Sequence, residues 1–173
     1  MFYRYNTPLF SFLGGFIMSI PITKGGYEKI LEEARHLKKV ERPAIIAKIA
    51  EARSHGDLSE NAEYHAAREK QSFIEGRIEY LDGVIADAEV IDVSKLSGDK
   101  VLFGATVKLL DNDTDEEVVY TLVGEVESDP ENGKISIASP KGHALIGKEL
   151  GDDVTVQTPA GAREYNILEV KYV

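Results

Sequence analysis

The sequence predicts an α+β chain in which an N-terminal antiparallel α-helical coiled-coil hairpin is followed by a small antiparallel β domain with one short helix. Three observations carry this prediction. Apolar residues recur three or four apart on two long charged segments between Tyr27 and Ala88. A turn-rich stretch, SHGDLSENAEY, separates those two segments. From Val101 onward short runs of alternating apolar and polar residues replace the helical spacing.

Residues 1–17, MFYRYNTPLFSFLGGFI, are apolar and aromatic with a single charge and stand apart as an extension. A signal peptide is the functional reading. The apolar run from Leu9 to Ile22 is broken by Gly14, Gly15 and Pro21, shows no clear small-residue cleavage site, and falls short of the roughly 20 residues of a membrane span. Met18 is therefore the expected start. The hairpin is expected over 18–96, beginning with Thr23 as a helix cap. Tyr27, Ile30, Leu31, Ala34 and Leu37 supply the apolar face of the first arm, then Ile45, Ile49 and Ala52. Pro43 should bend or restart this arm, because it removes one helical hydrogen bond and sits best in a first turn. A fully helical arm from Thr23 to Arg53 would reach on the order of 45 Å.

The second arm carries a heptad seam at Ala67, Ile74, Ile78, Leu81, Ile85 and Ala88, closed against the first arm by a short loop at His55–Asp57. The stretch VSKLSGDK then marks entry to the second domain, expected over 97–173. Its strands are VLFGATVKLL, EEVVYTLVG, KISIAS, VTVQTP and REYNILEVKYV, separated by DNDTD, DPENG and PAG. Alternation in the last strand slips between Ile167 and Leu168, the mark of a bulge. A short helix is expected around His143–Ile146.

Composition narrows the function classes. The chain has no cysteine, so disulfides, thiolate metal sites and a cysteine nucleophile are excluded, and a cytoplasmic setting is expected. A net charge of −10 argues against broad gripping of nucleic acid phosphates. The acid excess is slight from Met18 to Leu96 and about two to one from Ser97 onward, so the hairpin is the better candidate to approach a polyanion.

Chemistry concentrates at the hairpin tip, 54–64, where Asp57 and Glu60 stand three residues apart just before a helix. That spacing fits a capping box, in which each side chain satisfies a free amide, and taken alone the capping reading is the stronger one. Placement favours a second reading. A capping pair needs no long arm, whereas carboxylates that complete another molecule's active site do. Hard cations such as Mg2+ are held by one or two carboxylates together with phosphates and water, so two acids make sense as half of a site. His55 and His65 bracket the acids, but without a third strong ligand they do not make a zinc site. His36 and His143 carry no chemical signal.

GDLSENAEYHAARE at the tip, RPAIIAKIAEAR leading into it, and FGATVKLL, SPKGHALIGKELGD and TPAGAREYNILEVKYV in the second half resemble the bacterial GreA-type transcript cleavage factors of the Gre family. The resemblance runs from about Met18 to Val173. It implies an FKBP-like second domain that docks at the mouth of the RNA polymerase secondary channel, with the hairpin entering that channel. It also implies that Asp57 and Glu60 are the catalytic acids, sharing a Mg2+ ion with the polymerase active site only in the complex and orienting the attacking water. Polymerase would then cut its own backtracked RNA, and the factor would have no turnover of its own. By the same resemblance Arg53 and Arg68 match a small basic patch facing the nascent RNA 3′ end. Asn61 and Tyr64 match positions that shape the tip or contact polymerase, and Ser139 and Pro140 fall in the expected docking segment. The implied factor is a monomer that contacts no membrane. Two rivals remain: a relative of the same fold that blocks the channel without stimulating cleavage, and an adaptor whose tip acids are only caps.

Overall fold

The computed structural model describes residues 19–54, 61–159 and 161–172. The extension 1–17 and the tip residues His55, Asp57 and Glu60 lie outside them. The described chain begins with a short strand, β1 (Ile20–Thr23), that leads directly into α1 (Lys24–His36). Thr23 caps this helix as expected, its hydroxyl accepting a hydrogen bond from the Gly26 amide at 3.0 Å. The first arm then widens into a single π-helical turn, Leu37–Glu41, before α2 (Arg42–Ser54). The Arg42 amide bonds to the Leu37 carbonyl, one residue further back than in an α-helix. Pro43 is the physical reason for the irregularity. It has no N–H to give to the preceding turn and its ring crowds the carbonyl four residues back, so the restart takes the form of a widened turn.

After the tip, α3 (Ala62–Asp87) returns along both parts of the first arm. Ile45 and Ile49 pack with Ile74 and Ile78 near the middle of the hairpin, and Ile30 and Ala34 pack with Leu81 and Val84 near its base. The heptad reading thus places Ile74, Ile78 and Leu81 correctly. Near the base Val84 takes the buried position and Ile85 only flanks it. Ion pairs run across the arms from Lys38 to Asp82, Arg42 to Glu75 and Arg77 to Glu33. They are half exposed, so they fix the register of the arms more than they stabilise the fold. The hydrogen bonds that Arg77 donates to Glu33 raise its pKa, and those that Arg42 donates to Glu75 do the same.

Ala88 packs against the base cluster as the seam predicts, but not as part of the helix. It opens β2 (Ala88–Ile91), which pairs in parallel with β1 and closes the base of the hairpin over the fully buried Ile22. This two-stranded sheet has no counterpart in the sequence reading.

The second half is one five-stranded sheet. Its strands are β3 (Thr106–Asp111), β4 (Glu116–Val123), β5 (Lys134–Ser136), β6 (Asp153–Thr158) and β7 (Gly161–Lys171), in the order β5-β4-β3-β7-β6. All neighbours are antiparallel except β4 and β5. The expected bulge is present: Lys108 faces Glu169 while Leu109 faces Ile167, so Leu168 is skipped. The helix α4 (Pro140–Leu145) starts earlier than expected and lays Leu145 onto the core formed by Val107, Leu109, Leu122, Val156 and Ile167. Residues 101–105 are a turn instead of a strand, with Gly104 at a φ of +81°.

Asp111 ties the β3–β4 turn to β7. It is almost fully buried and accepts hydrogen bonds from the Asp113 amide and the Arg163 guanidinium at 3.0 and 3.2 Å. Burial alone would raise its pKa, but the backbone amide and the guanidinium outweigh it and hold the carboxyl below the usual range. A carboxylate whose pKa is depressed on folding stabilises the fold above its unfolded value and loses that contribution as pH falls through the folded value. The β domain is therefore expected to weaken as pH drops below about 3.9, the ordinary aspartate value. Thermal melts of wild type and Asp111→Asn test this. The variant should be the less stable at neutral pH and should lose less on acidification.

Candidate functional site

The tip is framed by the last turn of α2 and the first turn of α3, and Asn61 holds the two together. Its side-chain carbonyl accepts from the Tyr64 amide at 3.0 Å, making Asn61 the N-cap of α3. Its side-chain amide donates to the Ala52 carbonyl of α2 at 2.8 Å. One residue thus satisfies a free donor at the start of one arm and a free acceptor at the end of the other, and so fixes the gap that residues 55–60 must span. The cap of α3 is thus Asn61, with Tyr64 at position N3; Asp57 and Glu60, the pair read as a capping box, lie outside the described residues.

Tyr64 packs on the Ile45, Ile49, Ile74 and Ile78 cluster and so closes the top of the seam. The guanidinium of Arg53 lies over its ring, 5.8 Å from the centroid, and the His65 ring meets it edge-on at 5.6 Å. Arg68, almost two turns into α3, donates to Gln71 at 2.6 Å. These partners of Arg53 and Arg68 are neutral, so neither contact cancels the positive charge beside the tip. The structure therefore brings Arg53, Asn61 and Tyr64 into one assembly and sets Arg68 on the same end of the hairpin. Among the described residues no group of three or more His, Cys, Asp or Glu is placed to hold a metal ion.

Ser139 and Pro140 lie far along the chain from the tip, at the start of α4. The Ser139 hydroxyl accepts from the Gly142 amide at 3.1 Å and donates to the Ser136 carbonyl at 2.6 Å, with Pro140 in the first turn. The segment is thus a tightly built corner with an exposed proline. One residue that the sequence reading passed over is Glu127, in the turn after β4. Its carboxylate accepts from the Thr23 amide at 2.8 Å and from the Thr23 hydroxyl, at the head of α1. No local pattern could reveal that pairing, because the partners are 104 residues apart.

Comparison with known proteins places this architecture. Residues 20–90 match the family model "Transcription elongation factor, N-terminal" and residues 96–172 match "Transcription elongation factor, GreA/GreB, C-term". The chain is 61% identical over 153 residues to the transcription elongation factor GreA of Hyphomonas neptunium, covering 88% of this chain and 98% of that protein. To GreA of Brucella anthropi it is 59% identical over 153 residues, with the same coverage of both chains. Among solved structures it is similar to GreA factor homolog 1 of Thermus thermophilus, at 26% identity, 88% and 99% coverage, and a TM-score of 0.42. With two family models in tandem and such identity over nearly the whole of its relatives, the chain belongs to the GreA/GreB family of transcription elongation factors.

Proposed function

We propose that this elongation factor inserts its hairpin tip into the secondary channel of bacterial RNA polymerase and stimulates the polymerase to cut its own backtracked RNA, so that synthesis resumes from a new 3′ end. The reading rests on the frame around the tip. Asn61 takes over the capping of α3 and staples the arms, so Asp57 and Glu60 are not needed as its caps. The returning arm is 26 residues long, about 39 Å at helical rise, which suits delivery of two acids to a recessed site.

The residues fit a shared Mg2+ ion by the chemistry of their donors. Asp57 and Glu60 offer hard carboxylate oxygens, the type such an ion prefers, and two of them leave room for ligands from polymerase and RNA. When bound, the ion would lower the pKa of a water and stabilise charge on the phosphoryl oxygens. This chain's own residues would do the rest by position. Asp57 and Glu60 would orient the water, Arg53 and Arg68 would attract the extruded RNA phosphates, and Tyr64 would keep Arg53 in place through its ring. Ser139 and Pro140, on the rigid corner of α4, would contribute to docking on polymerase. The protein is on this reading an activator of polymerase and performs no reaction alone.

The test is direct. Added with Mg2+ to stalled, backtracked complexes of a bacterial polymerase, the protein should release a short 3′ RNA fragment and restore elongation. Binding that slows synthesis and leaves the RNA intact would overturn this reading in favour of a channel blocker.

A further inference from the structure

We infer that Glu127 is a positioning residue, clamping the β domain to the base of the hairpin and thereby setting the direction in which the tip points. The inference builds on the proposed cleavage role, but its structural part stands on geometry alone. The Glu127 carboxylate reaches across from the turn after β4 and accepts two hydrogen bonds from Thr23, one from its backbone amide and one from its hydroxyl. Thr23 uses the same hydroxyl to cap the Gly26 amide. A negative charge is thereby placed at the positive end of α1, where the helix dipole favours it.

The neighbours are shaped for this approach. A Cβ on Gly26 would lie 1.9 Å from the Glu127 carboxylate, and a Cβ on Gly124 would lie 2.2 Å from the Pro21 carbonyl. Only glycine fits at either point without displacement. Val126, between these residues, packs on the Ile22, Ile30, Ala34, Leu81 and Val84 cluster at the hairpin base. Polar clamp and apolar plug thus come from one short turn, Gly124–Glu127, of the second domain.

With the hairpin arm about 39 Å long, a tilt of about 10° at its base moves the tip by about 7 Å. Displacements near 1 Å at a reacting centre can cost about 100-fold in rate, so a loosened base should lower productive cleavage much more than binding.

Two readouts on the full chain test this with Glu127→Ala and with Glu127→Gln, which keeps one carbonyl acceptor. The first is the distance distribution between spin labels on Glu69→Cys and Thr155→Cys, both exposed sites in a chain with no native cysteine. Glu127→Ala should broaden it, and Glu127→Gln should restore part of the wild-type width. The second is RNA cleavage against factor concentration: the maximal rate should fall about 10-fold while the half-saturating concentration changes little. An unchanged distance distribution in Glu127→Ala overturns the clamp. A broadened distribution with wild-type cleavage at every concentration overturns the positioning role. If wild type itself releases no RNA, the cleavage reading fails and the distances still decide whether Glu127 clamps the domains.

Discussion

Asp57→Ala and Glu60→Ala proteins are expected to fold, bind polymerase and fail to stimulate cleavage, each by on the order of 100-fold. The expectation follows from the division of labour at the tip. Since Asn61 supplies the cap of α3 and the bridge to Ala52, removing either acid leaves the arms stapled. Circular dichroism melts should therefore match wild type to within a few degrees. Asp57→Asn sharpens the test, because an amide can still accept from a backbone N–H but lacks the charge that holds Mg2+. If cleavage survives in Asp57→Asn and Asp57→Ala alike, the acid at position 57 has no role in catalysis. If both lose the fold as well as cleavage, the caps were the point.

Gly142→Ala is expected to destabilise the β domain by about 1–3 kcal/mol, against the usual preference of helices for alanine. Gly142 is buried in the first turn of α4, and a Cβ there would lie 2.1 Å from the Ser136 carbonyl oxygen and 2.9 Å from the Ile137 Cα. Both are backbone atoms that cannot swing aside. The Ser139 corner, with its two hydrogen bonds, would have to open. Gly83→Ala in α3 makes the control. Nothing lies within 4 Å of a Cβ at that position, so the same exchange should stabilise the hairpin by about 0.5–1 kcal/mol. Calorimetry of the two variants should move the transition in opposite directions.

What the sequence could disclose was decided by distance along the chain. The cap at Thr23, the seam at Ile74, Ile78 and Leu81, and the bulge at Leu168 depend on neighbours within a few residues, so spacing alone located them. The pairing of β1 with β2 and the reach of Glu127 to Thr23 are contacts between distant segments, for which IPIT, AEVI and a lone glutamate carry no local mark. At the tip, spacing did not single out the residue that caps α3. Asp57 and Glu60 match the pattern of a capping box, yet Asn61, one residue on, has the geometry to serve both arms. Near the base, where α3 gives way to β2, Val84 is buried and Ile85 only flanks the cluster.

The π-helical turn at Leu37–Glu41 has a bearing on phase. On the first arm Ile30, Ala34 and Leu37 run four and three apart, and Ile45, Ile49 and Ala52 do so again, but eight residues separate Leu37 from Ile45. Eight residues of α-helix would leave the second set about 80° out of line with the first, since each residue turns the chain by about 100°. A turn that absorbs one extra residue cuts that error to about 20°. The widened turn therefore acts as a one-residue gear correction: both halves of the first arm present their apolar teeth to the same partner helix. Leu37, which packs against the clusters on either side, sits where the two gears mesh.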